Sequence, residues 1–100
     1  MTDTMKLLAL AIAINPVVVW TTEGDTVFDL REGTIFDPAN NIEQAWAVLA
    51  WLLRNRRCDL SHNAVTVWHS NDILICDIDY DGTEAGLRKA VTEAGMRVVS

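Results

Sequence analysis

The chain has 100 residues, half of them hydrophobic and 22% charged, with a formal net charge of −6. That length makes one domain, and the apolar half is enough for a core and too much for disorder. The shortage of Lys and Arg argues against direct nucleic-acid binding, which needs phosphate neutralisation, and leaves room for a basic protein partner.

Residues 1–14 read MTDTMKLLALAIAI. The apolar run 7–14 is too short to span a bilayer, and its weakly charged leader without a small-residue cleavage site does not make an export signal. A helix capped by Asp3 or Thr4 is the expectation, favoured by the alanines. A buried strand is the rival, because Leu8, Leu10, Ile12 and Ile14 alternate with alanines and periodicity does not settle short apolar runs. Asn15 and Pro16 stop this element. Residues 17–20 and 26–30 are β-branched and apolar on either side of TTEGD, which predicts a hairpin. Residues 31–40 form a loop, with Ile35 and Phe36 turned inward.

The longest helical pattern is 41–57, NIEQAWAVLAWLLRNRR. Asn40 or Asn41 serves as N-cap, with Glu43 or Gln44 three residues on as in a capping box. Arg54, Arg56 and Arg57 crowd the last turn, where positive charge suits the helix dipole. At about 100° per residue, Ile42, Ala45, Trp46, Leu49, Leu52 and Leu53 share a face that reads as the core stripe. Trp51 lies off that stripe. Either another part of the chain covers it or it contacts a second chain, since tryptophan is enriched at interface hot spots.

Cys58 closes the helix beside Asp59, and Cys76 alternates with Leu74, Ile78 and Tyr80. The two cysteines lack zinc-ligand and CxxC spacing and read as reduced thiols in a cytoplasm. Burial and a neighbouring carboxylate both raise a thiol pKa, so neither is a candidate nucleophile. Residues 64–69 and 73–80 are strands joined by a turn at Ser70, Asn71 and Asp72. Leu74, Cys76, Ile78 and Tyr80 share one face of the second, and Ile73, Ile75, Asp77 and Asp79 the other. Asp81 or Thr83 opens a last helix through Ala94, with Leu87, Ala90, Val91 and Ala94 as its stripe and Gly95 at C′. Val98 and Val99 add a short strand or fray. The order helix, hairpin, helix, hairpin, helix predicts an α+β domain over 1–100, an antiparallel sheet of about four strands with helices packed on it.

The segment FDPANNIEQAWAVLAWL at 36–52 runs an aspartate–proline loop into a helix with an Ala-Trp pair, and two strands and EAGLRKAVTEAG follow. In this the chain resembles the phage ABA sandwich domain family, small phage and prophage proteins, over nearly its whole length. The motifs are loose; the first helix is unusually apolar and the closing helix lacks the cysteine associated with the family. The resemblance implies helix–sheet–helix layering and a phage or prophage source, and it implies no activity.

Asp77, Asp79, Asp81 and Gly82 match the first half of a calcium loop, but position 12, where a bidentate Glu belongs, is Arg88. In a strand Asp77 and Asp81 stand about 13 Å apart, whereas calcium ligands converge to roughly 2.4 Å from one ion. A calcium-binding module through these residues is thus an alternative, and no metal or cofactor is the expectation. Between 58 and 87 there is no Lys or Arg, while Asp59, Asp72, Asp77, Asp79, Asp81 and Glu84 fall there. Acids on one strand face recur at about 6.6 Å, a charge ladder that a basic nucleic-acid groove accepts. The plain alternative is a solvated strand end with acids at a helix N-terminus.

His62 and His69 have neighbouring serines, yet no nucleophile–base–orienter pattern, metal-ligand spacing or glycine-rich phosphate loop is present. The aromatics do not interleave with basic residues as an RNA platform does. The expectation is a cytoplasmic phage or prophage accessory protein without enzymatic activity, membrane contact or direct nucleic-acid contact. It binds a host protein or complex with a basic surface, as an anti-defence (anti-CRISPR-like) inhibitor, an assignment that is class analogy. Asp72, Asp77, Asp79, Asp81 and Glu84 supply the charge and Trp51 an apolar anchor. A self-associating structural phage protein, with a homodimer through Trp51, is the other alternative.

Overall fold

A computed structural model describes residues 2–100. Its elements are α1 (Asp3–Ile14), β1 (Trp20–Glu23), β2 (Thr26–Asp29), α2 (Ile42–Asn55), β3 (Arg57–Leu60), β4 (Ala64–Trp68), β5 (Leu74–Asp79) and α3 (Glu84–Val99). The α+β class and the order of three helices separated by β units are those expected from the sequence, but the second unit has three strands where the pattern predicts a hairpin. The strands form two antiparallel sheets rather than one, β1–β2 and β3–β4–β5. The helices lie between them: α1 packs on β1 and β2, α3 on β4 and β5, and α2 on α3 and β3. The layering is sheet–helices–sheet, where the resemblance implied helix–sheet–helix. Among the described residues no helix is long and apolar enough to cross a membrane.

Residues 3–14 take the helical alternative. The Thr2 hydroxyl caps α1 by accepting from the Met5 N–H at 3.2 Å, one residue earlier than expected. Helix wins over strand because it buries Leu10 and Ala11 together and lets Leu7, Leu8 and Ile14 lean on the core. The hairpin is shifted along the chain. Glu23 pairs with Thr26, so Thr21, Thr22 and Glu23 are strand and only Gly24 and Asp25 turn. Gly24 has φ 59°, the positive value that the first central residue of a II′ turn requires and glycine supplies without strain. Val17 stays outside the strand at 84% exposure, since the Trp20 indole N–H donates to the Asn15 carbonyl at 3.1 Å and folds this segment back.

Residues 34–36 extend this sheet. Asp29 N–H donates to Thr34 O at 2.9 Å, and Phe36 N–H to Val27 O at 2.8 Å. Extended backbone sends neighbouring side chains to opposite sides, so Phe36 is buried and packs on Trp20 at 5.6 Å, while Ile35 is exposed, not inward. Gln44 clamps the segment: its side-chain oxygen accepts from Asp37 N–H at 2.6 Å and its amide donates to Ile35 O at 2.8 Å. Asn41 is the N-cap of α2, accepting from Gln44 N–H at 3.1 Å. The Gln44 side chain therefore serves the loop and does not return to the cap.

Helix α3 is the hub, touching α1, α2, β4 and β5. Thr83 caps it, accepting from Gly86 N–H at 3.0 Å. It runs through Gly95 to Val99, so Gly95 is not a C-cap and Val98 and Val99 are helical. Gly95 is buried, and a Cβ there would stand 2.9 Å from side-chain atoms of both Leu10 and Val48. The glycine lets three helices meet at that level.

Candidate interaction surface

The three-stranded sheet is two-faced. Val65, Val67, Cys76 and Ile78 point into the core. Arg56 ends α2 in an extended conformation (φ −144°, ψ 162°), and the chain enters β3 directly. Cys58 lies opposite Val67, and Val67 opposite Cys76; Asp59 lies opposite Thr66, and Thr66 opposite Asp77. Alternation therefore puts Asp59, Thr66 and Asp77 on the outer face, with Ala64 and Asp79 in the neighbouring row. Asp59, Asp77 and Asp79 are exposed, and among the described residues none of them is ion-paired. Asp77 and Asp79 recur at about 6.6 Å along the strand, and Asp59 faces Asp77 across two strand spacings, about 9.6 Å. The Thr66 hydroxyl donates to Asp77 at 3.0 Å and fixes that carboxylate.

The other acids proposed from the sequence are placed differently. Asp72, at φ 66° in the αL position of a three-residue hairpin loop, is held by Arg57 at 2.7 Å. Arg57 also lies 4.7 Å over the Trp68 ring, so this far end of the face is neutralised. Asp81 has left the strand. Its carboxylate accepts from the Thr83 hydroxyl at 2.6 Å and the Thr83 N–H at 3.0 Å. These bonds, the hydroxyl first, hold its pKa below the usual carboxylate range. Glu84 pairs with Arg88 at 3.4 Å one helical turn on. Asp77 and Asp79 are thus joined not by Asp81 but by Asp59, which lies outside the site expected from the sequence because the helical pattern of 41–57 runs up to it and hides β3. Its signal was the alternation of Cys58 and Leu60 about Asp59. The three aspartates of the calcium alternative do not converge, and among the described residues no three His, Cys, Asp or Glu side chains are grouped to hold a metal ion.

Trp51 is half-buried against the core, covered by its own chain as the first of its two readings has it, whereas Trp46, expected in the core stripe, is 50% exposed. The buried stripe of α2 is Ala45, Val48, Leu49 and Leu52, and Leu53 is 57% exposed. The cause lies in α3. Gly95 admits Val48 at the crossing, and that contact rotates α2 away from the six-residue stripe.

Cys58 and Cys76 are free thiols on strands that flank β4. Their backbones are about 9.6 Å apart, beyond disulfide reach. Burial pushes the Cys58 thiol up, and the Asp59 charge and Cys76 add to it. Burial also raises Cys76, against a smaller lowering by Arg97. Thiols raised in the folded state ionise first in the unfolded chain, so this contribution is intact at neutral pH and lost as pH climbs past about 8.5. Both cysteines are expected to react at least about tenfold more slowly than a free thiol with a chromogenic disulfide reagent at pH 8, and at full rate in urea. Fast labelling of Cys58 in the folded protein would contradict this.

Two open clefts lie elsewhere. One of about 460 Å³ is lined by Glu23, Thr26, Phe28, Gly33 and Ile35. One of about 400 Å³ lies between α1, the β1–β2 turn and α3, with Asp3, Asp25 and Asp37 around Leu7 and Met96. Neither is lined by His, Cys, Ser or Lys; in the second the Thr4 hydroxyl donates to Asp25 at 3.4 Å. Compared with known families, curated proteins and solved structures, the chain matches none.

Proposed function

We propose that this protein acts by binding, with the outer face of β3–β5 seated on a basic surface of a host protein that otherwise holds nucleic acid. The observation that carries the reading is the open row of Asp59, Asp77 and Asp79, set around the small uncharged Ala64 and Thr66. Its spacing of about 6.6 Å along the strand is close to two phosphate steps of about 3.4 Å on one nucleic-acid strand. A rigid sheet offers these charges without ordering a loop, and the opposed fields speed encounter. The phage or prophage source rests on the resemblance over 36–52, and the anti-defence role, of the anti-CRISPR kind, on analogy of class.

The test uses a tagged copy to capture its target from a bacterium with active defence systems, with elution by a salt gradient. The captured complex is then assayed for nucleic-acid binding with and without the protein. Nucleic-acid binding is expected to fall as protein is added. Asp59→Asn, Asp77→Asn and Asp79→Asn together are expected to weaken inhibition about tenfold, since each peripheral charge contributes about 0.5–1 kcal/mol. Thermal stability is expected to change little because all three are exposed. A complex that binds nucleic acid and this protein at once, or inhibition unaltered by the triple change, would sink the reading.

A further inference from the structure

The acidic sheet face is not the only surface left open. At about 100° per residue, Ile42, Trp46, Ala50 and Leu53 fall within about 80° of arc on α2, bordering the buried Leu49 and turned away from Ala45, Val48 and Leu52. Trp46 and Leu53 are half or more exposed. Glu43 and Arg54 are also exposed and lie together along one edge of this stripe, at about 100° and 120° on the same scale. They sit at opposite ends, eleven residues or about 16.5 Å apart along the axis. Among the described residues neither has an ion-pair partner.

This arrangement is self-complementary in one orientation only. In an antiparallel helix pair about a two-fold axis, like edges meet with reversed sequence direction. Glu43 of each copy then faces Arg54 of the other, and Trp46 lies against Ala50 and Leu53 of the second copy, where the small alanine leaves room for the indole. A parallel pair would set Glu43 at the level of Glu43 and lose both ion pairs. The chain carries −6 overall, but the α2 edge is locally neutral, and the acidic row of β3–β5 is on another element, so copies meet where their repulsion is least.

We propose that the outward face of α2 is a homodimer seam, with two copies of α2 packed antiparallel through Trp46, Ala50 and Leu53 and registered by Glu43 and Arg54. The occupant is a second copy of this chain. A helix of 14 residues is about 21 Å long, and one such face falls short of the roughly 800 Å² per partner of a standard interface. The dimer is therefore weak, half dissociated at about tens of micromolar.

Sedimentation velocity from about 5 to about 500 µM tests this. The wild-type coefficient is expected to rise from monomer to dimer across that range, and Trp46→Ala to move the midpoint up at least about tenfold. Glu43→Lys alone and Arg54→Glu alone are each expected to hold the protein monomeric. Glu43→Lys combined with Arg54→Glu is expected to restore the dimer, because the swapped pair has the same two-fold complementarity. Circular dichroism checks that each variant is folded, and all of these positions are exposed. A wild type that stays monomeric throughout, a dimer indifferent to Glu43→Lys, or a double swap that fails to restore association overturns the proposal.

Discussion

Gly95→Val is expected to destabilise the protein by about 3 kcal/mol, which lowers its melting temperature by roughly 15 °C. A Cβ at position 95 meets Leu10 Cδ2 and Val48 Cγ1 at 2.9 Å. Both neighbours are fully buried and come from different helices, so neither can swing into solvent. Valine adds two more methyl groups to that overlap. Gly95→Ala sets two effects against each other. Alanine gains about 1 kcal/mol of helix propensity over glycine, and overpacking costs about 1–3 kcal/mol. Two simultaneous buried contacts place the cost in the upper part of that range, so Gly95→Ala is also expected to destabilise. Chemical denaturation checks both variants. Adding Leu10→Ala to Gly95→Val should recover part of the loss, with a coupling of about 1 kcal/mol. A Gly95→Ala protein more stable than wild type would mean that the three helices do not meet as described.

The same glycine marks where sequence reading stops. A Gly after Ala94 in an amphipathic pattern is compatible with a C-cap and with a helix crossing, and only the identity of what lies opposite separates them. Pattern strength explains most of what was legible. The three helices, the β4–β5 hairpin with its turn at Ser70, Asn71 and Asp72, and the buried Cys76 and Ile78 all follow from local periodicity and turn chemistry. Strand β3 was not legible: RCDL is four residues, two of them charged, and it exists because β4 offers it an edge. With β3 missing, Asp59 could not be placed beside Asp77. Strict alternation puts Leu74 on the same face as Cys76 and Ile78. Opposite the Val67–Trp68 junction, Ile75 is an extra residue, so Leu74 pairs with Trp68 and is exposed. A bulge of this kind shifts facing by one residue and leaves no mark in composition. The β-branched residues 17–19 drew the first strand too early, because propensity does not register the Trp20 to Asn15 hydrogen bond that turns them outward.

Leu52→Ala is expected to cost about 2–5 kcal/mol, the range for deleting a fully buried leucine. Trp46→Ala, by contrast, is expected to cost only about 1–2 kcal/mol in dilute solution despite removing a larger side chain, since half of its surface is already in water. Trp51→Ala should fall between them. The comparison discriminates between two rotations of α2. On the stripe read from the sequence, Trp46 and Leu53 share the core with Leu52, and Trp46→Ala would be the most damaging change of the three. On the observed rotation, Val48 takes that place against Gly95 and Trp46 is released to the surface. Denaturant unfolding of the three variants at low micromolar protein, where any α2-mediated dimer has dissociated, measures the rotation directly. Hydrophobic pattern alone leaves both rotations open because Trp46, Val48, Trp51, Leu52 and Leu53 together cover most of the helix circumference. The absent side chain of a residue nearly fifty positions away decides between them, and the same choice that seals the core leaves a tryptophan on the outside of α2.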